Sequence, residues 1–407
     1  MIRLILGCLW ILSLAGASAE LALTADSAAK MALQKNPELA AARTIVAEAE
    51  ARARASGRLS NPELGLEVAG GQDFEGRVEI GVMQRFPITA RLRLERNLSA
   101  LDIERARLEV QEKGRQLEVA TRGAYYDLAA ARESIALAGR QAAVAKELAE
   151  SLRSSAGEGL SSSLDAGQAV LTGEEFAVAR EAYLVDEAVA LGRLASLLGL
   201  PASESLTTKE SLALPRSLPA NQSIGFRPDL RLAEMAVESG AVDVSLAKAS
   251  RWDDVGVGLF VEGERTEDAP EGIDSEALLG VRFNIPLPIW QNGNGKVAEK
   301  QAVHERQQKQ LQALRLAALN EALVAYRRMA ANHRLATQIE NNLLPMAKKQ
   351  VDDTSATYQR GEADMQTLSR ARERLAQVEV SALEARKKFF LSRSEWLAAV
   401  GVMSKTP

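Results

Sequence analysis

Two periods alternate along this chain. In four short stretches every second residue is apolar. Leu64, Leu66 and Val68 alternate with Glu63, Gly65 and Glu67, and Val78, Ile80 and Val82 with Arg77, Glu79 and Gly81. Val255, Val257, Leu259 and Val261 form the third set, and Leu279, Val281, Phe283 and Ile285 the fourth. Period two marks a strand with one apolar face. Pro87 closes the second set, and Pro286 and Pro288 the fourth, because proline cannot donate to a sheet ladder. Elsewhere the pattern is helical. It predicts a helix over 23–58, capped by Thr24 or Asp26 and interrupted at Asn36-Pro37. A far longer one is predicted over 92–154, roughly 90 Å at ~1.5 Å per residue. A break over 156–163 (AGEGLSSS) then makes a hairpin with its tip near Gly159. From Lys296 another helical run reaches Leu344 without proline or glycine.

The chain repeats this plan. Asn36-Pro37-Glu38-Leu39 returns as Arg227-Pro228-Asp229-Leu230, and Gly65 as Gly256 at the same offset of 191. Ala124-Tyr125 returns as Ala325-Tyr326, Gly159 as Gly361 and Gly199 as Gly401, the offset growing to 202. A repeat this long is one supersecondary plan used twice. The expected division is a leader over 1–19, a first repeat over 20–200, a linker or equatorial region over 201–225, a second repeat over 226–401 and a tail over 402–407. Leu311, Leu314, Ala318, Ala322, Ala325, Met329, Ala336, Ile339 and Leu343 follow steps of three and four, with Asn332 as the polar member. That stripe fits coiled-coil packing or an ordinary bundle core.

Composition narrows the class. Arg3, the apolar run 4–14 and Ala17-Ser18-Ala19 read as a secretory signal peptide. Leu6-Gly7-Cys8 resembles part of a lipid-attachment box but comes early for one. Cys8 is the lone cysteine, so the mature chain is expected to hold no disulfide and no thiolate metal site. Without Arg3, 49 basic residues stand against 54 acidic ones, interspersed, which leaves no nucleic-acid footprint. His304 and His333 lie 29 residues apart with no ligand spacing, so no metal site is expected. No phosphate loop or nucleophile motif is present, which argues against an enzyme and against a cofactor.

The strands decide the environment. One face of each is aliphatic; the other carries Glu67, Glu79, Asp254, Glu262, Arg282 and Asn284. In a soluble protein the aliphatic face would pack on helices. In a membrane barrel it would meet lipid, and the polar face would line a watery lumen. Aromatic residues beside the strands (Phe74, Phe86, Trp252, Trp290) and helices too long to fold back over a sheet favour the barrel. Four strands cannot close alone, and an open edge in hydrocarbon is costly, so other copies would complete the ring.

Asn36-Pro37, the two-fold repeat, Ile285-Pro286-Leu287-Pro288-Ile289-Trp290 before a Gly-Asn turn, and Leu343-Leu344-Pro345 followed by Tyr358-x-x-Gly361 together resemble the TolC-like outer-membrane efflux family. The IPLPIW stretch is most similar to its cation-efflux branch. The resemblance implies a mainly α fold with a four-stranded antiparallel part. Its long coiled-coil hairpins and strands would complete a shared transmembrane β-barrel and α-helical barrel in a homotrimer. It implies a passive exit duct in the outer membrane, its helical part in the periplasm, working with a periplasmic adaptor and an inner-membrane pump. The cargo implied is metal cations; drugs or secreted proteins are the alternative, and a soluble periplasmic coiled-coil scaffold is the competing class. Gly159, Leu160, Ser161, Gly361, Glu362 and Ala363 match the family's adaptor-contacting tips. Asp165 and Tyr358 match its gate residues, and Asp364 lies near the pore ring, where Thr367 and Arg370 replace the family's acidic residues.

Overall fold

The computed structural model describes residues 21–70, 76–157, 162–220, 223–268, 272–290 and 292–402. The expected leader, Cys8 and the tip residues Gly159, Leu160 and Ser161 lie outside them, as do Phe74 and residues 403–407.

The chain opens with β1 (Leu21–Leu23), α1 (Ala25–Lys35) and α2 (Pro37–Ala55). Thr24 caps α1, its side chain accepting from Ser27 N while the Ser27 side chain accepts from Thr24 N. Asn36 caps α2, and Pro37 takes the first helical position, where its missing N–H costs nothing. Next come β2 (Glu63–Gly70), β3 (Gly76–Phe86), α3 (Arg91–Gly157), α4 (Ser163–Leu198) and β4 (Leu206–Thr208). The second half runs α5 (Pro228–Ala249), β5 (Val255–Asp268), β6 (Gly272–Asn284), α6 (Asn294–Gln338), α7 (Leu344–Gln359) and α8 (Met365–Ala399). Its 67 residues give α3 a length of roughly 100 Å.

Four strands form one antiparallel sheet in the order β2-β3-β5-β6, so the two repeats meet between β3 and β5. Ile285 falls outside this sheet: β6 ends at Asn284, opposite Gly256. The residue before a proline is held in an extended form, and the next position offers no donor to prolong the ladder. The helical run from α6 does not stop at Leu344. Residues 339–343 form a π turn in which Leu344 N reaches Ile339 O, and α7 continues from it. Pro345 has no N–H and crowds the preceding turn; widening that turn lets one helix run on across it.

The main core lies where α1, α3, α4, α6 and α8 cross. Tyr125, Leu128, Leu194, Leu198, Met329, Phe389 and Trp396 are all buried there. Phe390 packs on Phe389 (5.2 Å between centroids) and on Tyr126 (5.0 Å). Burial pushes the Tyr126 phenol up to about 12. Residues 206–212 of the expected linker are pinned here. β4 pairs in parallel with β1, Arg132 donates to Leu206 O (2.6 Å), and Leu212 N donates to Glu133 (3.1 Å). Along α6 the predicted stripe is buried at Leu311, Ala318, Ala322, Ala325, Met329 and Ala336, while Leu343 is exposed.

Candidate channel wall and hairpin tips

Among the described residues no helix makes more than slight contact with either face of the sheet. Its aliphatic side is bare: Leu64, Val68, Leu259 and Leu279 are 62–75% exposed. The register aligns Leu66, Ile80, Val261 and Leu279 in one row across all four strands. Among the described residues no helix is long and apolar enough to cross a membrane.

The opposite side is polar and binds itself together. The register sets Glu67, Glu79 and Glu262 side by side, an arrangement that like charges oppose. Two arginines resolve it. Arg282 meets Glu79 at 2.7 Å, and Arg77 meets Glu262 at 2.7 Å and Glu79 at 3.4 Å. Glu79 and Glu262 are consequently only 4% and 8% exposed on an otherwise open face. The Arg282 guanidinium also lies 4.8 Å over the Phe260 ring. Gly81 and Gly280 flank Phe260 in the register, and a Cβ at Gly280 would strike the ring. Asn284 shares this face at its helical end. Glu67 also lies on it and, among the described residues, forms no ion pair. Asp254 stands one residue before β5 and holds Arg91, the first residue of α3, at 2.6 Å. It therefore joins sheet to helix.

Beyond β6, Ile285, Leu287, Ile289 and Trp290 project outward, Trp290 being 91% exposed. This apolar collar surrounds the point where strand gives way to helix.

At the far end, Gly361 (φ 75°) reverses the chain after α7, with Gly361 N donating to Tyr358 O (2.9 Å) and Glu362 N to Thr357 O (3.0 Å). Glu362 pairs with Arg360 at 3.1 Å across the turn, and Ala363 follows. Asp364 caps α8, accepting from Thr367 N (2.8 Å); bonds from Thr367 hold its carboxyl below the usual range. On the first hairpin Ser162 caps α4 and Asp165 lies in its first turn, near the helix dipole's positive end. Asp165, Tyr358, Asp364 and Arg370 line one open polar cleft of about 1100 Å³ between the tips. Tyr358 packs beside Leu152, Ala166, Met365 and Leu368. Its burial, then the Asp165 charge, push its phenol upward; the two make no hydrogen bond.

Sequence reasoning missed one feature that its own method could have found. Leu164, Leu171, Val178 and Val185 recur every seven residues along α4 and are all exposed, between 54% and 79%. Among the described residues nothing covers this heptad seam. His333 Nε2 donates to Pro215 O (2.9 Å), and His304 Nε2 lies 3.0 Å from Gln308 Nε2. Among the described residues no group of three or more His, Cys, Asp or Glu side chains could hold a metal ion.

Comparison with curated protein sequences found no match. Comparison with solved structures found close likeness in fold. VceC, an outer-membrane protein of Vibrio cholerae, superposes with a TM-score of 0.75 at 17% identity, over 93% of this chain and 96% of that one. CusC, whose structures concern transmembrane channel formation, gives 0.74 at 15% over 92% and 91%. The MtrE outer-membrane channel of Neisseria gonorrhoeae, in its open state, gives 0.70 at 14% over 93% and 88%. The chain thus has the fold of outer-membrane channels, and its residues 220–400 match the family described as outer membrane efflux protein.

Proposed function

We propose that the chain is the outer-membrane duct of a tripartite efflux system. Three copies would combine their strands into one barrel of twelve and their helices into one periplasmic tube. The carrying observation is the sheet's inversion. Its aliphatic face is uncovered, its polar face is paired within itself, and its outer strands β2 and β6 each leave an edge open. A sheet in water would hide the aliphatic face; a lipid-embedded ring of copies satisfies face and edges together. The residues on the polar face (Glu67, Glu79, Glu262, Arg282 and Asn284) then line the lumen, and Asp254 its helical mouth. The duct is passive and not an enzyme, its energy supplied by an inner-membrane pump through a periplasmic adaptor. Gly361, Glu362 and Ala363 lie at the end that would meet the adaptor, with Asp165, Tyr358 and Asp364 lining the entrance.

The cargo proposed is metal cations, on the resemblance of Ile285-Pro286-Leu287-Pro288-Ile289-Trp290 to the cation-efflux branch. Drugs or secreted proteins are the second reading. Deletion followed by growth on metal salts, dyes and detergents separates them: unchanged metal tolerance removes the cation assignment. Extraction tests the duct itself. The native protein should leave the membrane only with detergent, as a particle of three chains. Recovery from the soluble periplasm as a monomer would overturn the duct in favour of a scaffold.

A further inference from the structure

Between the two hairpins, some way from the tips, lies a second and smaller cavity of about 230 Å³. Leu137, Val144 and Leu148 of α3, Phe176 of α4 and Leu375 of α8 give it an apolar lining. Arg372 of α8 also lines it, and two of its three guanidinium nitrogens are buried without a partner among the described residues. Its Nε and Nη1 are shut off from solvent and donate no hydrogen bond, and among the described residues it forms no ion pair. Arg115, Arg122 and Arg227 show how the chain normally treats a covered guanidinium: each holds a carboxylate, at 2.6, 2.8 and 2.7 Å. The one acidic residue lining the cavity, Glu379, is already engaged by Gln141 at 2.9 Å. Arg140 adds a second positive charge to the wall. Burial pushes the Arg372 guanidinium downward, and no partner offsets it.

We propose that this cavity binds a small amphipathic organic anion, a carboxylate or sulfonate on an aromatic or short aliphatic body, with its charge on Arg372. The shape and the charge argue together. An engineered apolar cavity of about 150 Å³ accepts benzene, so this one has room for a substituted ring. A planar guanidinium fork fits a carboxylate or sulfonate edge in two parallel hydrogen bonds. Arg372 is only partly buried as a whole, and the proposal requires its side-chain torsions to turn the fork onto the ligand. A molecule seated there touches α3 and α4 on one side and α8 on the other. It fixes the spacing of the two hairpins upstream of the tip cleft. Binding requires neither barrel nor pump, so it stands or falls separately from the duct.

The test is calorimetric titration of the full-length protein in nonionic detergent, with naphthalenesulfonate as probe and naphthol as its uncharged counterpart. The sulfonate should bind saturably. Arg372→Gln should weaken it roughly ten- to hundredfold, and Arg372→Lys less. Neither change should alter naphthol binding, and Val144→Trp, which fills the cavity, should abolish both. Partition into micelles is the same for every variant and cancels. Arg372→Gln keeps a polar side chain and removes a charge that has no ion-pair partner among the described residues, and far-ultraviolet circular dichroism checks that the variant folds. Sulfonate binding that is unsaturable, or undiminished in Arg372→Gln, would overturn the proposal.

Discussion

Arg227 stands in the second half of the chain where Asn36 stands in the first. Each precedes the proline that begins a helix, and each sends a side-chain N–H to the end of a returning hairpin. Asn36 Nδ2 donates to Leu197 O and Arg227 Nη1 to Ala399 O, both at 3.0 Å. Two residues beyond each acceptor comes a left-handed glycine, Gly199 (φ 68°) or Gly401 (φ 74°). A Cβ on Gly199 would meet Lys35 O, and one on Gly401 would meet Phe226 O. The repeat keeps the contact and changes its chemistry. In the second half the donor is a buried arginine that also holds Asp229 (2.7 Å) and Glu321 (2.9 Å).

Gly199→Ala and Gly401→Ala should each destabilise the helical core by about 1–3 kcal/mol, through the positive φ and the backbone collision together. The comparison is Gly295→Ala, in a helix with open space around it, which should be neutral or slightly stabilising. Thermal unfolding followed by far-ultraviolet circular dichroism reads the difference.

Acid should loosen the Arg227 contact. Burial alone would raise the Asp229 carboxyl, but the Arg227 hydrogen bonds and charge outweigh it and hold the folded value below the ordinary one. The sign follows: stabilisation is complete above the unfolded value of about 3.9 and is lost as pH falls through the lower folded value. Asp229→Asn should therefore melt earlier than the parent at neutral pH, and the two should converge as the medium becomes strongly acidic.

The two faces of the sheet should respond unequally to charge. Leu259→Arg places a cation on the aliphatic face and should cost about 2–4 kcal/mol per chain near mid-bilayer. Glu276→Arg, on the polar face opposite Glu264 and without an ion pair among the described residues, should be tolerated. Glu262 is the wrong control, because it is buried against Arg77. The yield of heat-resistant oligomer in the outer-membrane fraction measures both; equal loss would reverse the assignment of faces.

The lumen should favour cations modestly. On the polar face Arg77, Arg85 and Arg282 are all spoken for by glutamates, while Glu67, Glu264 and Glu276 form no ion pair among the described residues. Reversal potentials across a salt gradient in planar bilayers should show cation preference, and neutralising those three glutamates together should remove most of it.

What the sequence disclosed and what it hid divide by range. The strands, the turn at Gly361 and the twofold plan rest on local period and on glycine, and these were legible. The β1–β4 pair was not: three residues on each side, separated by 185 positions, carry no local signal. The ion pairs of the sheet were half legible, since alternation placed Glu79, Glu262 and Arg282 on one face but could not say that Arg77 would join Glu262. At Pro345 the helix runs on through one widened turn, and nothing in the local sequence marks that turn. The exposed heptads of α4 were open to inspection, but a seam that nothing covers among the described residues gives no sign of what it meets.

Among the described residues the three buried apolar clusters lie in the helices, the small β1–β4 ledge and the stretch just after it; none includes a residue of the four-stranded sheet. The rod can therefore be complete while the sheet is still only a ribbon with sticky sides. In the proposed trimer an order of assembly follows: the helices should fold first, and the strands should mature last, at a rate set by how often finished rods meet. Dilution of the chain should delay the second event and leave the first untouched.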